Sequence, residues 1–146
     1  MGDRAVSRSV TVAAAPEEIF ELLAHPSGHA ELDGSGTVQG ALRDDERLAL
    51  GARFGMRMRM GVPYRMTNEV VEFEEGRRIA WRHVGGHVWR WELEPVDGGT
   101  RVTETFDWGP ARVPPALELA RIPRRNAQAI EATLANVVER FGSLEQ

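Results

Sequence analysis

The chain contains no cysteine, and this absence rules out several kinds of site at once. Without a thiol there is no disulfide, no thiolate nucleophile and no cysteine-ligated metal. Lysine is absent as well, because all 18 basic residues are arginine. Catalysis through a lysine Schiff base is therefore excluded.

The chain also lacks an apolar run of the length that a membrane span requires, which is about 18 residues. Its first segment, MGDRAVSRSVTV, has no apolar core of the signal-peptide kind and passes directly into strand-like alternation. We therefore expect a cytoplasmic protein. The net charge of −4 argues against general nucleic-acid binding, because a phosphate backbone requires clustered positive charge in excess.

What is present is typical of one globular domain. The chain has 146 residues, of which 42% are apolar and 27% charged, so we expect a single domain over residues 1–146. The segment RAVSRSVTV alternates as a strand does, and APEEIFELLAH predicts a helix with Pro16 in its first turn. One further helical turn is expected at residues 27–32.

Residues 36–108 predict about six strands separated by short turns. The turns at Gly85–Gly86 and at Asp97–Gly99 are the clearest hairpin signals, because such turns require a positive φ. After GPARVPP, which ends at Pro115, the pattern becomes helical, and Pro123 should kink or split that helix. Hairpin-linked strands make an antiparallel sheet, and a long amphipathic helix can cover its concave face.

Three segments and the order of the elements resemble the START/pollen-allergen helix-grip superfamily (SRPBCC), and within it the polyketide cyclase/dehydrase and lipid-transport branch. The segments are SVTVAAAPEEIFELLAHP, VVEFEEGRRIAWRH and WELEPVDGGTRVTETFDW. The resemblance implies an α+β helix-grip fold, in which a curved seven-stranded antiparallel sheet wraps around the C-terminal helix. It also implies two short helices between the first two strands and an apolar ligand cavity between the sheet and the last helix.

Alternation along the strands predicts which side chains face this helix. In RFGMRMRMG the arginines Arg53, Arg57 and Arg59 share one face, and phenylalanine and methionines share the other. The outward arginines, including Arg82 and Arg90, are interpreted as a solvated face paired with glutamates. The inward face is interpreted either as ordinary core or as the wall of a cavity. The candidate ligand-binding residues are Phe54, Met56, Met58, Met60, Tyr64, Trp81, His87, Trp89, Trp91, Phe106 and Trp108.

Glu104 is the most informative polar residue, because alternation places it inward between Val102 and Phe106. A buried carboxylate is costly unless it is paired, protonated or functional. A one-residue bulge would expose it instead. His83 is a candidate partner, and a Glu104–His83 pair is our candidate catalytic pair for acid–base chemistry; a structural hydrogen bond is the alternative.

No metal site is expected. His83 and His87 flank a hairpin, and His25 and His29 are four residues apart, but neither pair has a third ligand. We interpret these side chains as solvated or hydrogen-bonded histidines.

The resemblance implies binding or transport of a hydrophobic small molecule, such as a lipid, an aromatic compound or a polyketide-like compound. One alternative is a polyketide aromatase/cyclase or dehydratase that uses the Glu/His pair, and another is a regulatory module whose cavity is filled by side chains. We favour binding over catalysis, because no polar constellation in the sequence is complete. We expect no cofactor, no metal, no nucleic-acid partner and no membrane span, and either a monomer or a homodimer.

Overall fold

A computed structural model of the chain describes residues 4–34, 38–41, 47–60, 62–83 and 85–144. Within these segments one strand is followed by two helices, six strands and two helices. The strands are β1 (Ala5–Val12), β2 (Val38–Ala41), β3 (Arg53–Met60), β4 (Val62–Glu74), β5 (Arg78–His83), β6 (Val88–Val96) and β7 (Gly99–Asp107). The helices are α1 (Pro16–Leu23), α2 (Pro26–Leu32), α3 (Pro114–Leu119) and α4 (Ile122–Phe141). The predicted helix-grip architecture is confirmed.

The strands form one antiparallel sheet in the order β1-β7-β6-β5-β4-β3-β2. Hairpins join β3 through β7 in sequence, while the segment holding α1 and α2 separates β1 from β2. Both predicted hairpin turns are present, with φ of +99° at Gly86 and +82° at Gly98. Positive φ is easy only for glycine, which explains why these residues stand at the turns.

Two irregularities bend the sheet around its inner face, which is the face that carries Ile79, Trp91 and Phe106 and packs toward α4. The β4–β5 register shifts between Val70 and Glu72, and the β2–β3 register also shifts. Such bulges increase the local bend and twist of a strand. Because β5 ends opposite Asn68, residues 62–67 of β4 pair with β3 alone and extend past the rest of the sheet.

The helix α4 begins where the sequence predicts a break. Pro123 lies in its first turn, where a missing N–H costs nothing, and Arg121 before it adopts a left-handed conformation (φ +61°) that separates α3 from α4. Ile130, Leu134 and Val137 form the buried stripe. None of the described helices is long and apolar enough to cross a membrane.

The outer face of the sheet carries the arginines, as predicted. Arg90 donates from Nε and Nη2 to the two carboxylate oxygens of Glu72, at 2.9 and 2.7 Å. The remaining predicted outward arginines are exposed: Arg53, Arg57, Arg59 and Arg82. Alternating side chains on β3 therefore meet water on one face and the interior on the other.

Candidate functional site

A cavity of about 350 Å³ lies between the inner face of the sheet, α2 and α4. Its size falls in the usual range of small-molecule sites, which begins at about 300 Å³. The four tryptophans and the described methionines do not fill this space, which argues against a regulatory module whose cavity is packed shut. The sheet supplies aromatic and methionine side chains, whereas α4 supplies residues over about three turns, from Ile122 to Thr133.

Most of the side chains that alternation predicts to face inward line this cavity. They are Phe54, Met56, Met58, Tyr64, Trp81, His83, His87, Trp89, Trp91 and Glu104. Phe54 and Met56 are buried, while Met58 and Tyr64 are half-buried near the β3–β4 hairpin. Met60 ends β3, and its side chain lies outside the described part of the structure.

Phe106 and Trp108, which were predicted as ligand-binding residues, are not among the residues that line this cavity. Phe106 is wholly buried, with the rings of His87, Trp89 and Trp108 at centroid distances of 5.3, 4.9 and 5.7 Å. Trp108 follows the end of β7, and its indole Nε1 donates to Glu118 Oε2 at 2.7 Å. Both rings face inward as alternation requires, but neighbouring rings and α3 cover them.

An aromatic wall forms where α2 packs over the sheet. The imidazole of His29 stacks on Trp81, with centroids 4.4 Å apart and planes at 16°, and meets Phe54 edge-on at 5.4 Å. His29 Nε2 donates to the carbonyl oxygen of Leu23 at 2.8 Å. The sequence interpretation treated His29 as a solvated or hydrogen-bonded histidine and did not assign it to the cavity. Its spacing of three residues from Leu32, on one face of α2, is the signal that would have placed it inside.

His83 and His87 form a second stacked pair, with ring centroids 4.2 Å apart. The Gly85 amide donates to His83 Nδ1 at 2.8 Å, so that nitrogen carries no proton. Burial lowers the pKa of His83, and burial together with the nearby His83 lowers the pKa of His87 to about 4. Both rings are therefore neutral at pH 7. His87 Nδ1 is buried and has no hydrogen-bond partner among the described residues.

Glu104 faces inward, because β7 pairs with both neighbours in unbroken register. Its residue is only 6% exposed, and its Oε1 is enclosed without a hydrogen-bond partner in the described segments. Burial, and secondarily the negative charge of Asp33, raise the pKa of Glu104 well above its ordinary value. Such burial favours the protonated form of the carboxyl, which can donate one hydrogen bond and accept others.

The structure does not join Glu104 to His83. Glu104 lies opposite Trp91 on β6, whereas the backbone N–H of His83 donates to the carbonyl of His87. Trp91 and His87 are four residues apart, which is about 13 Å along a strand. The two side chains line the same cavity but lie at different positions along the strand direction. The hypothesised direct acid–base pair is therefore not formed.

Several polar cavity residues were missed by the sequence interpretation. Asn68 on β4 continues the alternation of Tyr64 and Met66, and this period was the available signal. On α4, Asn126 and Thr133 lie beside the apolar stripe that was recognised. Arg125 lines the cavity next to them, and the sequence groups it with Arg121 and Arg124 as a solvated helix face, with an acidic-ligand site or a dimer contact as the alternatives. Asp33, at the end of α2, had no signal in the local sequence.

The Thr133 hydroxyl ties the α2 end to α4, since it accepts from the Gly34 amide at 2.9 Å. Asn136 adds a second tie by donating to the Leu32 carbonyl at 3.0 Å. Across the described residues, no group of three or more His, Cys, Asp or Glu side chains is placed to hold a metal ion.

Comparison with known proteins gives a family and relatives for this chain. Residues 3–142 match the model of a family described as polyketide cyclase / dehydrase and lipid transport. An uncharacterized protein of Mycobacterium tuberculosis is 42% identical over 146 aligned residues, which cover 96% of this chain. The chain spans 65% of the length of that relative.

Solved structures share the fold at low sequence identity. A protein from Nitrosomonas europaea superposes with a TM-score of 0.75 at 15% identity, covering 95% of this chain and 94% of the other. A polyketide-cyclase-like protein from Corynebacterium glutamicum has a TM-score of 0.63 at 21% identity, covering 95% and 94%. An AHSA1-like protein from Aeromonas hydrophila has a TM-score of 0.65 at 17% identity, covering 97% of both chains.

Proposed function

Because the chain belongs to the polyketide cyclase/dehydrase and lipid transport family, we propose that it binds an apolar small molecule between the sheet and α4, as a carrier or sensor. The observation that carries this proposal is the cavity of about 350 Å³ with an aromatic and methionine wall. A site of this kind excludes water from the ligand and gains free energy roughly in proportion to the apolar area buried.

The composition of the wall supports a flat or flexible apolar ligand. Trp81, Trp89 and Trp91 offer ring faces and edges, which favour aromatic or polyene groups. Met56 and Met58 on β3 are unbranched and polarizable, and they adapt to ligands of different outline. An aromatic, polyketide-like or lipid molecule fits this combination.

Filling the cavity tests the proposal. Ala129 lines it from α4, so Ala129→Phe places a ring in the space that the ligand would occupy. We expect this variant to bind Nile red, a neutral apolar dye, at least tenfold more weakly than the wild type in a fluorescence titration. Ala135 lies on the exposed side of the same helix, and Ala135→Phe is the matched control that should bind the dye normally.

The melting temperatures of both variants should stay close to that of the wild type, which separates a filled cavity from a damaged fold. Equal dye binding by the wild type and Ala129→Phe would refute the cavity as the binding site. Native mass spectrometry of the purified protein would in addition reveal an apolar molecule that copurifies.

A second candidate is acid–base catalysis on the bound molecule, and it is favoured by Glu104. Its enclosed carboxyl has no hydrogen-bond partner among the described residues and, when protonated, can protonate a departing hydroxyl group, which leaves as water; the carboxylate that results can then take the α-proton and so regain its own. Incubation with an aromatic β-hydroxy ketone would show dehydration as the absorbance of the enone. Glu104→Gln should abolish that reaction while dye binding persists; enone formation that survives this change would exclude Glu104 as the acid.

A further inference from the structure

The polar groups of the cavity lie at two separate ends. Arg125 and Asn126 line it near the start of α4, and we call this the outer end because Arg125 is exposed. Thr133 lies eight residues further along the helix, which corresponds to about 12 Å. Together with Asp33 and Glu104 it forms the inner end.

The inner end suits a neutral hydrogen-bonding group. The enclosed Oε1 of Glu104 has no partner in the described segments, so a bound molecule can supply one. Asp33 is close enough for its charge to act on Glu104. An anion placed here would face that negative charge and would lose its hydration, and the described residues that form this end, Asp33, Glu104 and Thr133, include no compensating cation. A hydroxyl or a ketone carbonyl meets neither penalty.

The outer end suits an anion. Arg125 takes part in no ion pair within the described chain, in contrast to Arg90 and Arg47, which are held by glutamates. The two nearest acidic residues along the chain are already engaged, Glu131 by Arg8 and Glu118 by Arg4 and the indole of Trp108. The guanidinium of Arg125 is thus free to bind a carboxylate, and the Asn126 amide beside it can add a hydrogen bond.

We propose that the cavity binds an amphipathic acid whose carboxylate lies at Arg125 and whose far end carries a hydroxyl or carbonyl group that meets Glu104. This proposal rests on the proposed function, because it specifies the ligand of the same cavity. Arg125 and Thr133, which mark the two ends on α4, are about 12 Å apart along the helix axis, and we take this separation as the approximate length of the apolar body. A chain of ten carbons or a linear three-ring aromatic system is of this order.

A matched set of ten-carbon probes tests both ends. At pH 7 we expect 10-hydroxydecanoate to displace Nile red most effectively. Decane-1,10-diol lacks the carboxylate and should bind about tenfold more weakly, and decanoate lacks the hydroxyl and should bind about fivefold more weakly, as charged and neutral hydrogen bonds predict. Decanedioate places a second carboxylate against Glu104 and Asp33 and should bind most weakly of all.

Two variants test whether Arg125 causes the preference for a carboxylate and Glu104 the preference for a hydroxyl group. Arg125→Gln should make 10-hydroxydecanoate bind no better than the diol while leaving the diol unchanged; Arg124→Gln, on an exposed neighbour that does not line the cavity, is its control. Glu104→Leu should make decanoate bind at least as well as 10-hydroxydecanoate.

Several outcomes would overturn the proposal. Equal binding of the diol and the hydroxy acid by the wild type would show that the outer end does not prefer an anion. Tight binding of decanedioate would show that the inner end does not prefer a neutral group. If Nile red binds and none of the probes displaces it, the ligand class is wrong while the proposed function stands. If neither the dye nor any probe binds, the proposed function fails as well.

Discussion

Glu72 and Glu104 lie in the same sheet on opposite faces, and their environments differ in every respect. Glu72, on the outer face, accepts two hydrogen bonds from Arg90, and these bonds lower its pKa. Glu104, on the inner face, has no hydrogen-bond partner in the described segments, and burial raises its pKa. The comparison shows that this sheet pairs its charges where water reaches them and keeps an unpaired acid where a ligand would bind.

Replacing each glutamate by lysine should give the largest difference in stability between the two positions. Glu104→Lys buries an ammonium among apolar rings, and we expect it to lower the free energy of unfolding by about 3 kcal/mol or more. Glu72→Lys on the half-exposed outer face should cost only about 1 kcal/mol. Urea denaturation of the two variants measures the difference, and similar losses would contradict the assignment of Glu104 to a buried site.

Acid titration of the buried histidines extends the comparison to cations. The pKa of His87 in the folded chain is about 4, below the ordinary value of 6.5, so between these values the unfolded chain binds more protons. Stability should therefore fall as the pH drops from 6.5 to 4, by an amount on the order of 2 kcal/mol because part of the ring opens onto the cavity. Thermal melts across this range should show a smaller loss for His87→Phe. An identical loss in the variant would mean that other groups cause it.

Replacing each glutamate by glutamine should give effects of opposite sign. The raised pKa of Glu104 means that its carboxyl opposes folding above the ordinary pKa of 4.5, and this cost disappears as the pH falls to that value. Glu104→Gln should therefore raise the melting temperature at pH 7 by about 3 °C, with a smaller gain at pH 4.5.

Glu72→Gln is the matched control. The lowered pKa of Glu72 means that its contribution is present above pH 4.5 and is lost as the pH falls below that value. The substitution should reduce stability by about 0.5 kcal/mol at pH 7, a small effect because the pair is partly exposed. Calorimetry of both variants at the two pH values tests the signs, and a destabilised Glu104→Gln would show that the native carboxylate has a stabilising partner.

Alternation along the strands predicted much of the inner face. The side-chain period of a strand is two, so the sequence alone assigns Phe54, Met56, Trp81, Trp91 and Glu104 to one side. The hairpin turns at Gly86 and Gly98 were equally visible, because positive φ has a strong residue preference. These features depend on neighbours a few residues apart.

Alternation could not predict which of the inward-facing residues line the cavity. Phe106 and Trp108 face inward, yet other rings and Glu118 cover them. Glu104 and His83 were candidates for an acid–base pair, but the strand register places them at different positions along the strand direction. Each outcome depends on cross-strand register and on what packs above the sheet, and those contacts join residues far apart in sequence.

The sequence by itself determined the elements and the two faces of the sheet, because local periodicity and turn preferences specify them, whereas the inward position of Glu104 depended on the unbroken register of β7. Only the tertiary structure decided that α2 brings His29 and Asp33 to the sheet and that α4 sets Arg125 and Thr133 at opposite ends of one cavity. The physical reason is that a cavity is bounded by elements that meet through long-range packing, and no periodicity within a single element records which side chains will face each other across it.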